Sequence, residues 1–233
     1  MGMDWLLDFY NYRIVAQYLD RFVQGLANTM TAAGISLVLS VLIGTAFAVA
    51  MLSNRQLLMR PVAAYIAFIR ATPLLVQIYL IYYGLPALLP FAKTWNEMYL
   101  GIAALTLNSA PYMGEIIRAG IESVPRGQIE GAKAVGMTYG QRLRHVVLPQ
   151  AFANTLPPLI GQTSVLIKDT SLLSLITVFE FTSAGILLNS ERVKPNESFL
   201  TIALGYLAIY GLTLLLSHFV KRRLAGPAWN ARS

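Results

Sequence analysis

The chain has 233 residues, 56% of them hydrophobic and 12% charged, about half the charged share of a soluble domain. Five stretches contain no charged residue (22–54, 71–92, 98–114, 145–167 and 198–220), and a membrane-crossing helix needs about 20 mainly apolar residues, so the composition predicts an all-α polytopic membrane protein with about five transmembrane helices rather than a soluble domain or a β-barrel. The net charge of +7 lies on no soluble basic stripe, which argues against nucleic acid as a partner, and the absence of cysteine with only two distant histidines argues against a metal site.

Residues 1–27 are rich in aromatics (Trp5, Phe9, Tyr12, Tyr18, Phe22) and fit either an interfacial segment leading into the first span or a frayed terminus. The first span is expected over about 28–52, where Gly34, Ser36, Ser40 and Gly44 permit close helix packing. The second is expected over about 61–85, opening with Pro61 at a favoured first helical position. Arg70 falls inside it, with pairing to Glu115, snorkelling and gating all open to it. The third, about 98–119, carries Asn108 at depth, and Glu115 and Arg118 stand three apart on one face, where they can satisfy each other.

Residues 123–148 interrupt the apolar pattern. Ser123-Val124-Pro125 has a hydroxyl cap and a first-turn proline, predicting a short helix over Arg126–Val135. Gly131, Ala132 and Ala134 leave one side of it free of bulk. Gly136 suits the left-handed residue that closes a helix, and Thr138 followed by Gln141 is a capping-box pattern for a second helix, which carries Arg142 and ends before Leu148-Pro149. A projecting helix with a smooth side fits insertion into a cleft of another protein; an amphipathic helix lying on the membrane surface fits the same residues.

The fourth span, about 149–172, contains Gln162, Thr163 and Ser164, then Lys168, Asp169 and Thr170. A charge at a span centre costs at least ~2.5 kcal/mol, so Lys168 and Asp169 call for a cavity, a partner or an ion pair near the outer interface. Residues 173–197 include Glu180 and are barely long enough to cross. A short helix at the outer face is expected there, with Asn189–Glu197 as a loop. The fifth span, about 198–220, ends in Lys221-Arg222-Arg223. With the amino terminus outside and the carboxyl terminus in the cytoplasm, inner segments hold eleven of the 18 Lys and Arg and outer segments five, leaving Arg70 and Lys168 at depth.

Glu130, Ala132, Gly136, Val146, Leu148 and Pro149 resemble the EAA loop of ATP-binding-cassette importer permeases, with Gly131 in place of the first alanine and Val146 in place of isoleucine. "FIRATPLLVQ" (68–77), "EIIRAGIESVPRGQIEGAKAVGM" (115–137), "VVLPQAF" (146–152) and "KDTSLLS" (168–174) are similar to the polar amino-acid permeases of that group, although Ala71 stands where they usually have glycine. The resemblance covers nearly the whole chain and implies a single permease domain, 1–233, of the type I (MetI-like) importer fold in a bacterial inner membrane.

It also implies partners: a second permease subunit, identical or homologous, two ATP-binding subunits docked on the 123–148 loop, and a substrate-binding protein. The ATPase-coupling residues are then Glu130, Gly131, Ala132, Gly136, Arg142, Leu148 and Pro149. The chain lacks a G-x-x-x-x-G-K-[ST] phosphate loop, so it is expected to bind no cofactor, and ATP-Mg is expected on the partner subunit. An amino acid carries a carboxylate and an ammonium, for which Asn108, Gln162, Thr163, Ser164, Lys168, Asp169 and Thr170 form a reasonable mixed lining, with Arg70, Glu115 and Arg118 as gating or structural charges. A secondary carrier or channel subunit is the alternative class. It commonly shows inverted repeats, which the two halves lack, and it leaves the loop unexplained.

Overall fold

A computed structural model describes residues 9–53 and 55–224, with no strand among them. Residues 1–8 of the expected interfacial segment and 225–233 of the basic tail lie outside the described residues.

Helix α1 (Tyr12–Ala16) is capped by Asn11, whose side chain accepts from the Arg13 N–H. Helix α2 runs from Leu19 to Leu52, so the first span begins well before residue 28. Helix α3 (Gln56–Ala71) contains Pro61 in its interior rather than at its start. Residues 56–60 complete a helical turn ahead of the proline, which withholds only one backbone donor so close to the end. The second span is also broken. Pro73 forces Thr72 into extended backbone (φ −118°, ψ 144°), and the chain resumes as α4 (Leu74–Tyr79), a π turn at Leu80–Gly84 and α5 (Leu85–Leu88).

Helix α6 covers Glu97–Glu122, and α7 (Arg126–Ala134) and α8 (Tyr139–Arg142) form the predicted helix pair. Instead of a break at Pro149, a π turn at Leu143–Val147 carries α8 directly into α9 (Leu148–Asp169), which tightens to a 3-10 segment at Thr170–Ile176. Helix α10 spans Phe181–Arg192 and α11 spans Pro195–Leu224. The loop expected over Asn189–Glu197 is thus reduced to Val193-Lys194: helix continues through Arg192, and Pro195 starts the next one.

Three helical runs are long and apolar enough to cross a membrane: Leu19–Leu52, Tyr139–Ile176 and Pro195–Arg223. The broken pair Gln56–Ala71 and Leu74–Leu88 is a fourth if counted as one span. Helix α6, at 26 residues, is ~39 Å long and reaches across by length, but Thr106, Asn108 and Ser109 dilute its apolar character.

The described residues form two compact units, one from residues 9–37, 73–106 and 164–211, the other from 38–53, 55–72, 107–163 and 212–224. The first unit has an apolar centre of Ile78, Ile102, Leu105, Leu166, Leu173 and Ile176. A second cluster sets Tyr18 and Phe22 against Phe181, Ala184 and Leu188. The Phe181 ring lies 5.4 Å from that of Phe22 and 5.7 Å from that of Tyr206, the latter edge-on. Thr177 and Val193 hold left-handed backbone (φ 65° and 53°), a costly conformation for β-branched residues. In the second unit, α2 and α6 cross at Gly44 and Gly114. A Cβ on Gly44 would stand 2.7 Å from the Gly114 nitrogen, and one on Gly114 2.8 Å from the Gly44 carbonyl oxygen. Only glycine permits that approach. Tyr65 of α3 donates to the Leu107 carbonyl at 2.9 Å and meets the Phe47 ring edge-on.

Candidate functional site

The 123–148 loop is built by local chemistry at both of its turns. Gly136 has φ +80°, its N–H reaches the Lys133 carbonyl at 2.9 Å, and the Met137 N–H reaches the Ala132 carbonyl at 3.1 Å. This pair of bonds is a Schellman closure, which satisfies two of the last carbonyls of α7. Two residues later the capping box is complete: Thr138 Oγ1 accepts from the Gln141 N–H, and Gln141 Oε1 accepts from the Thr138 N–H at 2.8 Å. Arg142 donates to the Met137 carbonyl at 2.6 Å and lies over the Tyr139 ring, pinning the turn from the far side.

The outer face of the loop is bare. Glu130 is exposed and forms no ion pair among the described residues. A Cβ at Gly127, Gly131 or Gly140 would meet nothing within 4 Å. Two glycines four apart cost a nine-residue helix about 2 kcal/mol against alanine, with no packing inside the chain to offset it. Gly34, Gly161 and Gly211 on the long helices, and Gly84 at the end of the first π turn, are open in the same way. Val135, Tyr139, Leu148 and Pro149 are exposed as well, whereas Ala132 is buried where α7 packs toward the π turn.

One expectation for the loop needs correction. Ser123 does not cap α7, which begins after Pro125 with no side-chain cap. Its hydroxyl donates to the Gly120 carbonyl at 2.7 Å and accepts from Asn154 Nδ2 at 2.8 Å.

The charges in the second unit also settle differently from their spacing. Arg118 pairs with Glu122 at 2.9 Å, one helical turn on, and not with Glu115. Glu115 instead accepts from Arg70 of α3 at 2.6 Å. Of the polar groups at depth in this unit, Asn108 is buried, Gln162 is partly buried, and Thr163 returns its hydroxyl to the Leu159 carbonyl at 2.9 Å.

In the first unit, Lys168 is exposed and its ammonium lies 5.4 Å over the Tyr210 ring rather than against the adjacent Asp169. Ser164 and Thr170 are buried, and the Thr170 hydroxyl bonds back to the Ile167 carbonyl at 2.7 Å. Glu180, which the sequence marks only as a charge in the 173–197 stretch, is fully buried. It caps α10 by accepting from the Thr182 and Ser183 N–H groups, both at 2.8 Å, and it accepts from the Tyr206 hydroxyl at 3.0 Å. Burial pushes its carboxyl above the ordinary range, and these donors oppose the rise without cancelling it. Its backbone is equally confined: a Cβ on Gly25 would stand 2.7 Å from the Glu180 carbonyl oxygen.

Long apolar helices with polar groups among them, and an exposed helix pair between two of them, fit a component of a membrane transport system. The family of binding-protein-dependent transport system inner membrane components matches residues 36–226, and the chain belongs to it. Among characterised relatives, the nopaline transport system permease protein NocM of Agrobacterium fabrum is 35% identical over 215 residues, covering 89% of this chain and 88% of that one. The octopine transport system permease protein OccM of Rhizobium meliloti is 40% identical over 199 residues, covering 80% and 77%. The crystal structure of an amino acid ABC transporter with histidines superposes with a TM-score of 0.82 at 33% identity, covering 90% of this chain and 96% of that one. An inward-facing MetNI methionine ABC transporter, 18% identical with a TM-score of 0.71, shares the fold. The importer-permease resemblance read from the loop motifs is borne out, as is the all-α MetI-like fold.

Proposed function

We propose that this chain is the permease subunit of an ATP-binding-cassette importer that carries polar amino acids inward by alternating access, with a separate ATPase gripping α7. The observation that carries this reading is the loop itself: a short helix locked at its end by the Gly136 closure and the Thr138 capping box, with Glu130, Gly127 and Gly131 facing open space. A stiff helix transmits displacement, and a surface with two missing Cβ atoms lets another backbone come close.

In this reading two ATP-binding subunits hold ATP-Mg, and their closure draws together the loops of this chain and a second permease subunit. A substrate-binding protein delivers the solute from the opposite side. Glu130, Gly131, Ala132, Gly136, Arg142, Leu148 and Pro149 form or support the grip. The amino terminus lies outside and the carboxyl terminus in the cytoplasm, as the basic residues of 123–148 and of Lys221-Arg222-Arg223 favour. Asn108, Gln162, Thr163 and Lys168, with Asp169, are the groups proposed to line the solute path. Ser164 and Thr170 belong to the same proposed set, and Arg70, Glu115 and Arg118 are proposed as gating or structural charges.

The test is reconstitution of the assembled transporter in vesicles with radiolabelled arginine, glutamine, glutamate and octopine as a panel. Gly131→Trp is expected to abolish ATP-driven uptake while the permease still assembles. Accumulation against a gradient by permease alone, with no ATPase present, overturns the reading.

A further inference from the structure

The 123–148 loop leaves α6 at one end and joins α9 at the other, and the two stems are fused just beyond it. A Cβ on Gly120 would stand 1.9 Å from Thr155 Oγ1, 3.1 Å from Thr155 Cβ and 3.2 Å from the Ala151 carbonyl oxygen. Thr155 is buried with its hydroxyl committed to that same Ala151 carbonyl at 2.6 Å, so it cannot swing aside without stranding a polar group. Beside Thr155, Asn154 donates to Ser123, and Ser123 donates to the Gly120 carbonyl one turn back, closing a ring of contacts between the helices.

We infer that Ser123 and Asn154, braced by Gly120 and Thr155, are positioning residues that make the two stems move as one body when α7 is displaced. A push on a hairpin whose stems can part opens the hairpin, and the displacement dies there. With the stems clamped, it passes into α6 and α9 together. Ser123 is therefore spent on the stem rather than on capping α7. The inference rests on the coupling role proposed for the loop.

The chain contains no cysteine, so a Ser123→Cys/Asn154→Cys pair can be tethered selectively with a short bifunctional thiol reagent. In the assembled transporter in vesicles, Asn154→Leu and the untethered pair are expected to hydrolyse ATP at nearly the wild-type rate while solute moved per ATP falls about five-fold, the scale of one lost polar contact. Tethering the pair is expected to restore that ratio, which a mere packing role does not predict. Arrest of uptake by the tether with ATP hydrolysis continuing shows that the stems must separate, and overturns the clamp. An unchanged ratio in Asn154→Leu and in the untethered pair overturns it too. Both of those results can coexist with loss of uptake in Gly131→Trp. If Gly131→Trp transports normally, the coupling reading fails and the clamp falls with it.

Discussion

Arg70 and Glu115 meet at 2.6 Å across α3 and α6, joining the helix that ends at the Thr72-Pro73 break to the one that leads into the projecting loop. In the isolated chain both side chains keep substantial exposure, 52% and 35%, which leaves the pair open to screening. A double-mutant cycle with Arg70→Gln and Glu115→Gln is expected to give a coupling energy below about 1 kcal/mol in detergent melts. A coupling near 3 kcal/mol would mean that the pair is sealed from solvent in the assembled transporter.

Glycines at the helix crossing and on the loop are expected to respond in opposite directions. Gly44→Ala drives a methyl into the Gly114 backbone and should destabilise the chain by roughly 1–3 kcal/mol, seen as a lower melting temperature. Gly131→Ala meets open space and should stabilise α7 by up to about 1 kcal/mol. Any loss of uptake in Gly131→Ala then reflects the partner's surface and not the fold of this chain. Equal melting shifts in the two variants would contradict the packing described for both sites.

The end of α7 depends on one backbone conformation. Gly136→Ala places a Cβ at φ +80° and is expected to cost about 1–2 kcal/mol locally. Thr138→Ala removes the capping box for a loss of about 1 kcal/mol. Hydrogen exchange should show faster amide exchange confined to residues 126–142 in both variants, with the long helices unchanged.

Glu180 gives the first unit a pH dependence with a definite sign. Its folded-state affinity for a proton exceeds that of an ordinary glutamate, so its contribution is most favourable below the usual carboxylate range and is lost as pH rises through the raised value. Replacing it with glutamine removes the titration. Relative to wild type, the melting temperature of Glu180→Gln should climb as pH increases from the ordinary carboxylate range toward neutrality. A constant difference between the two proteins over that range would contradict the assignment.

What could be read from the sequence divides by range. The spans were visible because long charge-free runs are a compositional signal, and the Gly136 and Thr138–Gln141 turns because their chemistry is completed within a few residues. Helix ends were misplaced where helix runs on into polar residues, as at Leu19–Ala27 and again from Asn189 to Arg192. Ser123 looked like a cap because its true partner, Asn154, is 31 residues away. Arg118 stood at a suitable distance from both Glu115 and Glu122, and the choice fell to Arg70, which arrives from another helix. Glu180 read as an inconvenient charge because nothing nearby in the chain announces the Tyr206 hydroxyl or the close backbone of Gly25.

The π turn at Leu143–Val147 has a consequence for the loop's bearing. Each residue of a helix advances the side-chain direction by about 100°, and a π turn accommodates one residue beyond the ordinary count. Removing a single residue between Arg142 and Leu148 would let the turn relax to regular helix while leaving the bearing of α7 about the axis of α9 nearly unchanged, because the wide turn spends its extra residue within about one revolution. The compass heading of the projecting helix is thus insulated from a one-residue change in its stem, and relatives that differ there by one residue would still offer the same side to whatever meets them.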